Sequence, residues 1–297
     1  MNIPGFSVVV PASTANLGPG FDSVGLALDL YMTVDVSTSK MWKVTYLDEG
    51  FEGIAGGDDN LIVKTIKGVA DQHDCESPIL QLVVQSAIPL GKGLGSSAAA
   101  IAAGIEIANH ILDLNLSANE KVRIGSRLEG HADNVSAALL GGVTITYFDG
   151  EEMDVMQIKE PKMAAVILVP AKALLTEASR GLLPDTLTHV EATRGSAASS
   201  VMAAAIAVDD WEKAGRMMEK DGYHEPYRKH LFPKFDAIRK TCKELGAYGM
   251  TISGAGPSLF VAVEQGVAKE VAEKLRGEFP YYECIAVLPS ITGTKIK

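Results

Sequence analysis

Cysteine is scarce in this chain: three residues in 297, Cys75, Cys242 and Cys284, far apart and with no CxxC pair. That excludes a disulfide framework and a zinc site of ordinary spacing, and it fits a reducing, cytoplasmic setting. No apolar run approaches the ~18–20 residues that span a bilayer, so a membrane partner is not expected. The first residues, Met1–Phe6, lack a basic stretch followed by an apolar one and do not read as a secretory signal. Positive charge is also in deficit, with 27 Lys and Arg against 37 Asp and Glu, a net charge of −10. An acidic surface repels a phosphate backbone, so nucleic acid is not an expected partner, although a local pocket can still take a small anion. Repeats, low-complexity tracts and blocks of like charge are absent.

What is present is an ordinary globular composition, 47% hydrophobic and 22% charged, with enough apolar surface to build a core. Strand-like runs cover Ser7–Val10, Tyr31–Ser37, Trp42–Leu47 and Leu80–Gln85. Helical spacing covers Asn60–Gln72 and Ser96–Leu112, and Ser117-Ala-Asn-Glu120 has the form of a capping box. After Val143–Phe148 and an acidic turn the pattern restarts, with strands at Ala164–Val169, Met250–Ser253, Leu259–Val263 and Tyr282–Leu288. Helices are expected over Thr188–Val208, Lys234–Leu245 and Val267–Glu278. Strands and helices mix without a regular βαβ beat, which predicts an α+β fold. The expected division is a domain over 1–155 and a second over 156–297.

Three loops are rich in glycine and small polar residues: Pro11–Asp22, Pro89–Ala99 and Ser253–Ser258. The middle one runs from a strand into a helix. Its glycines permit positive φ and close backbone approach, and Ser96 and Ser97 fall in a first turn whose unpaired N–H groups favour an anion. The loop thus points to phosphate; a glycine turn with a serine cap is the plainer alternative. Lys92 precedes the last glycine, so the loop is not a Walker A, and Ser96 occupies the sixth position where a dinucleotide fingerprint has glycine.

The segment Pro89-x-x-x-Gly93-Leu94-Gly95-Ser96-Ser97-Ala98-Ala99 resembles the ATP loop of the GHMP small-molecule kinases. The first and third loops resemble that family's other two motifs, in the right order. Within it, Pro11–Leu28, Glu129-Gly-His131-Ala-Asp133-Asn134-Val135 and His224-Glu-Pro226-Tyr-Arg228 resemble the homoserine kinases, so the resemblance covers about residues 7–263. It implies two α+β domains, the first like ribosomal protein S5 domain 2 and the second ferredoxin-like. The implied reaction is ATP- and Mg²⁺-dependent phosphorylation of L-homoserine, on the route to threonine, by a homodimer.

The resemblance also implies roles. Asn60 and Pro89, Leu90, Gly91, Lys92, Gly93, Leu94, Gly95, Ser96, Ser97, Ala98 and Ala99 would bind ATP, and Ser97 with Glu129 would hold the metal. For Asn60, a helix cap fits equally well. Asn16, Asp22, His131, Thr176, Arg180 and Arg228 would bind the amino-acid substrate, the arginines its carboxylate and Asp22 its ammonium. Asn134 and Arg180 are the candidates at the reacting centre. Asn134 stands where mevalonate-type kinases have an aspartate, and an amide cannot take a proton, so direct transfer is implied, with adjacent Asp133 as the alternative base. Rival readings are a kinase for another small alcohol and a nucleotide-binding sensor without catalysis.

Overall fold

A computed structural model describes residues 4–171 and 179–297. The fold is α+β, as expected, and its described strands form two sheets. The first holds β1 (Phe6–Ala15), β2 (Val24–Thr38), β3 (Lys43–Tyr46), β4 (Leu80–Ser86), β5 (Val143–Phe148), β6 (Met153–Ile158) and the terminal β11 (Lys295–Ile296). Its main order is β11-β1-β2-β4-β3, and β5 and β6 continue from the other end of β2. The 15-residue β2 serves both branches: Met32–Thr38 pairs with β4 and Val24–Leu26 with β5. In its second half Met32, Val34 and Val36 are buried, the period-2 signature of a one-sided sheet face.

Helices α1 (Leu61–Gln72), α2 (Ser96–Ile111), α3 (Ala118–Glu129) and α4 (Asp133–Leu140) belong to this half. In α1, Ile62, Val63, Ile66, Val69 and Ala70 are buried at helical spacing. The box read at Ser117 and Glu120 is formed in both directions and opens α3. The Ala-rich α2 buries Ala98, Ala99, Ile101, Ala102, Ala103 and Ile105 and forms the centre of the half.

The second sheet has order β10-β7-β9-β8, all antiparallel, from β7 (Ala164–Pro170), β8 (Gly249–Ile252), β9 (Leu259–Val263) and β10 (Tyr282–Val287). Both faces are covered. Val166 and Leu168 join a core with α8 (Phe235–Glu244) and α9 (Ala268–Glu278). Ala165, Ile167 and Val169 face the other way, into a cluster with Met202 and Ile206 of α5 (His189–Ala207) and Trp211 and Met218 of α6 (Trp211–Met218). That cluster is continuous with the core of the first half. The short α7 (Glu225–Arg228) follows α6.

Five elements escaped the sequence reading: α4, β6, α6, α7 and β11. The first is eight residues with no side-chain cap at Ala132, so no start signal marks it. The residue pair 155/156, expected to divide the domains, lies inside β6. The sheets change between Ile158 and Ala164, where we propose the boundary, and the tail returns to pair with β1. The first loop is also shorter than read, because Pro11–Ala15 completes β1.

Candidate active site

The three glycine-rich segments converge, and hydrogen bonds stitch them together. Ser13 N donates to Leu94 O at 3.2 Å, and Gly254 N to Ala15 O at 3.2 Å. Ser253 Oγ donates to Gly93 O at 2.6 Å, so its contact with Thr14 Oγ1 at 2.8 Å must use the threonine proton. Asn16 Nδ2 donates to Gly254 O at 3.0 Å. Such closeness requires glycine: Gly93 and Gly95 have φ of 72° and 71°. A Cβ on Gly95 would collide with Ser13 Oγ, and one on Gly93 with Ser253 O.

Gly95 caps α2 in the left-handed region and brings no side-chain acceptor. Ala99 N already donates to Gly95 O at 2.8 Å. The N–H groups of Ser96, Ser97 and Ala98 lie ahead of that first intrahelical bond and are the ones open to an anion. Ser97 Oγ donates to Glu129 Oε2 at 3.0 Å, joining the start of α2 to the end of α3. Burial pushes the Glu129 carboxyl up, against the opposing charge of His131 and the Ser97 hydrogen bond. His131 Nδ1 meets Asp133 Oδ1 at 2.8 Å, and Asn134 N donates to the same oxygen at 2.7 Å. Burial alone would lower the imidazole, but the hydrogen bond and charge of Asp133, with Glu129, raise it overall. Asn134 Oδ1 accepts from Ser13 Oγ at 3.0 Å, while its Nδ2 has only a 3.5 Å contact with Asp133 among the described residues.

Across the cleft Arg180 forms a two-pronged ion pair with Asp22, at 2.6 and 3.1 Å. Arg228 is 1% exposed, and its Nε donates to Ser179 O at 3.1 Å. Burial and the neighbouring Arg180 charge pull the Arg228 guanidinium down to about 10, against the pull of Asp22 and Asp221, so it stays charged at neutral pH. Asp22, Ser97, Glu129, His131, Asp133, Asn134, Arg180 and Arg228 line one cleft together with Phe21, Gly91, Gly254 and Ala255. A second cavity touches it at Ser96 and Ser97. This one is apolar, walled by Met32, Tyr46, Phe51, Ile54, Ile88 and Leu90, with the Tyr46 and Phe51 rings stacked at 5.1 Å and 7°.

Comparison with known proteins bears on this arrangement. The GHMP kinases N terminal domain matches residues 60–142, and the GHMP kinases C terminal domain matches residues 202–280. The homoserine kinase of Bacillus cereus (strain G9842) is 47% identical over 275 residues, 92% of this chain and 90% of the relative. The chain belongs to the homoserine kinase family of GHMP kinases. The crystal structure of homoserine kinase from Cytophaga hutchinsonii superposes with a TM-score of 0.88 at 26% identity, covering 99% of this chain and 97% of that one. A provisionally named homoserine kinase from Listeria monocytogenes gives 0.84 at 36% identity, over 98% and 99%.

With the family in hand, the residues expected from the sequence can be placed. Asn16, Asp22, Gly91, Gly93, Gly95, Ser96, Ser97, Glu129, His131, Asn134, Arg180 and Arg228 all line the central cavity. Leu90 lines the apolar one. Thr176 lies outside the described residues.

Others are turned elsewhere. The Leu94, Ala98 and Ala99 side chains are buried in the core. Lys92 Nζ donates to Pro170 O at 2.9 Å and Ala171 O at 2.6 Å, at the end of β7, and burial lowers its ammonium. Asn60 is 1% exposed. Its Oδ1 caps α1 through Ile62 N at 3.0 Å, and its Nδ2 donates to Tyr46 Oη at 3.0 Å and Ala55 O at 2.9 Å. The cap reading therefore holds for its side chain, whose reach to the apolar cavity is through Tyr46. Asp22 and Arg180, expected to grip opposite ends of a substrate, grip each other in this structure.

Sequence reasoning missed Phe21, Ser13, Ser253 and the Tyr46–Phe51 stack. The first three sit inside the motifs already read. Nothing local marks Tyr46 or Phe51 as ligand walls. One carboxylate and one hydroxyl, Glu129 and Ser97, form an oxygen set of the kind magnesium takes, since it needs few protein ligands. The ligand atoms of Asp22, His131 and Asp133 also lie within 4.8 Å of one another. Asp22 is already engaged by Arg180, however, and His131 by Asp133, so this group reads as a hydrogen-bonding network.

Proposed function

We propose that this homoserine kinase family member transfers the γ-phosphoryl group of ATP to the hydroxyl of L-homoserine, forming O-phospho-L-homoserine. The observation that carries the reading is the pairing of an anion cradle with a zwitterion-complementary site in one cavity. The open N–H groups at Ser96–Ala98 suit phosphates, and the neighbouring apolar cavity suits a purine between the Tyr46–Phe51 wall and Leu90. Asp22, Arg180 and Arg228 offer both signs of charge to an amino acid's ammonium and carboxylate.

Phosphoryl transfer is served mainly by positioning and charge stabilisation. In this reading Asn134 Nδ2 donates to the attacking hydroxyl or to a phosphate oxygen, with Ser13 fixing the amide from the other side. Asn134 cannot take the proton, so the hydroxyl proton leaves to a phosphate oxygen or to solvent. Asp133 is held as an acceptor by His131 and the Asn134 N–H. Ser97 and Glu129 would hold Mg²⁺, which when bound supplies neutralisation of the phosphate charge. Arg180 would orient the substrate and add positive charge near the reacting end.

The deciding experiment is transfer from ATP to L-homoserine in the presence of Mg²⁺, with L-serine, L-threonine and mevalonate as competing acceptors. Homoserine should give by far the highest kcat/KM, and chelation of the metal should abolish turnover. Preference for another acceptor would overturn the substrate assignment. Two expectations taken from the family resemblance belong to the same proposal. A homodimer should appear in sedimentation equilibrium as twice the chain mass, and the protein should fractionate with the cytoplasm.

A further inference from the structure

Phe21 sits between Gly20 and Asp22 in the first loop, and two cations come to its ring. The guanidinium carbon of Arg180 lies 5.6 Å from the ring centroid and that of Arg228 lies 5.7 Å from it. Arg180 has a carboxylate partner in Asp22. No carboxylate of the described residues lies within ion-pair distance of Arg228, although it is almost wholly buried. A buried cation without an anion is costly, and an aromatic face is among the few neutral surfaces that attract one.

The ring is itself backed. The His224 imidazole lies 5.4 Å from it, centroid to centroid, and is fully buried. Its Nε2 faces two acceptors, Gly18 O at 3.2 Å and Asp221 Oδ2 at 3.1 Å, so that nitrogen carries the proton. Its Nδ1 has no partner among the described residues, as befits a neutral ring. Asp221 is fixed by the N–H groups of Tyr223 at 2.7 Å and Glu225 at 2.8 Å. His224 therefore anchors the loop at Gly18 and adds no third positive charge behind Phe21.

We infer that Phe21, seated on the buried His224–Asp221 pair, is a positioning residue that holds the Arg180 and Arg228 guanidinium groups at the spacing of a carboxylate clamp. The inference rests on the homoserine reading of the site. Without the ring, Arg228 faces the like charge of Arg180 with no carboxylate of its own, since Asp22 is held by Arg180 through both oxygens. With it, each guanidinium has a fixed attractive surface and meets the substrate carboxylate already oriented.

A double-mutant cycle tests this. The proteins are the unaltered enzyme, Phe21→Leu, Phe21→Met, Phe21→Tyr, Arg228→Ala and the Phe21→Leu/Arg228→Ala double variant. KM for homoserine, KM for ATP and kcat are measured in each, with thermal melts to confirm folding. Phe21→Leu and Phe21→Met should each lower kcat/KM for homoserine about 10-fold, the scale of a partly desolvated cation–π contact, with KM for ATP unchanged. Phe21→Tyr keeps the π face and should stay within about 3-fold of the unaltered enzyme. In the Arg228→Ala background the Phe21→Leu loss should shrink to about 3-fold or less, because the two residues act through one another. Equal loss in the leucine and tyrosine variants, a full loss in the Arg228→Ala background, or a parallel rise in KM for ATP would each overturn the inference. Failure of the unaltered enzyme to phosphorylate homoserine would instead overturn the proposed function itself.

Discussion

Asp22 and Arg180 meet across 158 positions of chain, Nη2 donating to Oδ1 at 2.6 Å and Nη1 to Oδ2 at 3.1 Å. Asp22 reaches the pair from a backbone φ of 55°, a left-handed conformation that is unusual for a side-chain-bearing residue. Asn16 Oδ1 accepts from Asp22 N at 3.0 Å and holds that turn. The pair is about one-third exposed and faces the cavity, and in the proposed reading it offers a partner to each charge of a zwitterionic substrate.

Removing one side of this pair should therefore weaken homoserine and leave ATP alone. Asp22→Asn and Arg180→Ala each lose charge-assisted hydrogen bonds worth roughly 1.5–3 kcal/mol, about a 10- to 150-fold fall in kcat/KM. Initial-rate measurements with each substrate varied in turn check this. A selective rise in KM for ATP would place the pair on the nucleotide side.

Ser97 and Glu129 make a second contact whose loss should appear in turnover. Ser97→Ala and Glu129→Gln should keep the melting temperature and lower kcat on the order of 10²–10³-fold, the usual cost of losing a charge-stabilising group. Near-normal kcat at saturating Mg²⁺ in both variants would remove the metal assignment.

Asp133→Asn separates direct transfer from general-base catalysis. With Asn134 unable to take a proton, the folded variant should retain measurable turnover, reduced through the lost His131 contact. A loss of several orders of magnitude in kcat, with ATP and homoserine still bound, would make Asp133 the base.

Gly95→Ala tests the cradle. The new Cβ would strike Ser13 Oγ, and alanine strains at a φ of 71°, so the variant should lose more than ~1 kcal/mol of stability. Denaturant midpoints measure that loss, and ATP affinity should fall with it because the N–H groups of Ser96–Ala98 are displaced. A stable variant with normal ATP binding would move the phosphates elsewhere.

His224 predicts a pH effect on stability. Burial lowers its pKa below the unfolded value near 6.5; Asp221, Gly18 O and Asp22 favour the charged ring, and Arg228 opposes it. Below about pH 6.5 the unfolded chain takes up a proton that the native state refuses, so stability is present above that pH and is lost as the pH falls. His224→Gln keeps a donor for Gly18 O and cannot titrate. Its denaturant midpoint should fall less steeply between pH 7.5 and 5.5 than that of the unaltered protein. Identical slopes would show that His224 carries no part of the acid sensitivity.

Local chemistry was written in the sequence wherever a few neighbouring residues suffice. The capping box at Ser117 and Glu120, the glycine turn before Ser96, the buried stripe of α1 and the alternation of β2 each depend on backbone conformation within about one turn or strand. The α+β class followed from them, and the motif resemblance led to the family. The sequence offered Asn60 as a helix cap, but it could not say which way Lys92 turns, that Asn60 also anchors Tyr46, or that Tyr46 and Phe51 wall a cavity. Nor could it pair Asp22 with Arg180 or bring Arg228 to Phe21. Those outcomes join residues far apart in the chain, and they depend on how the two sheets register and on which face of each the shared apolar cluster buries. A short charged or aromatic side chain carries no record of its partner, so only the packed fold decides whether it meets a substrate, another side chain or a helix end.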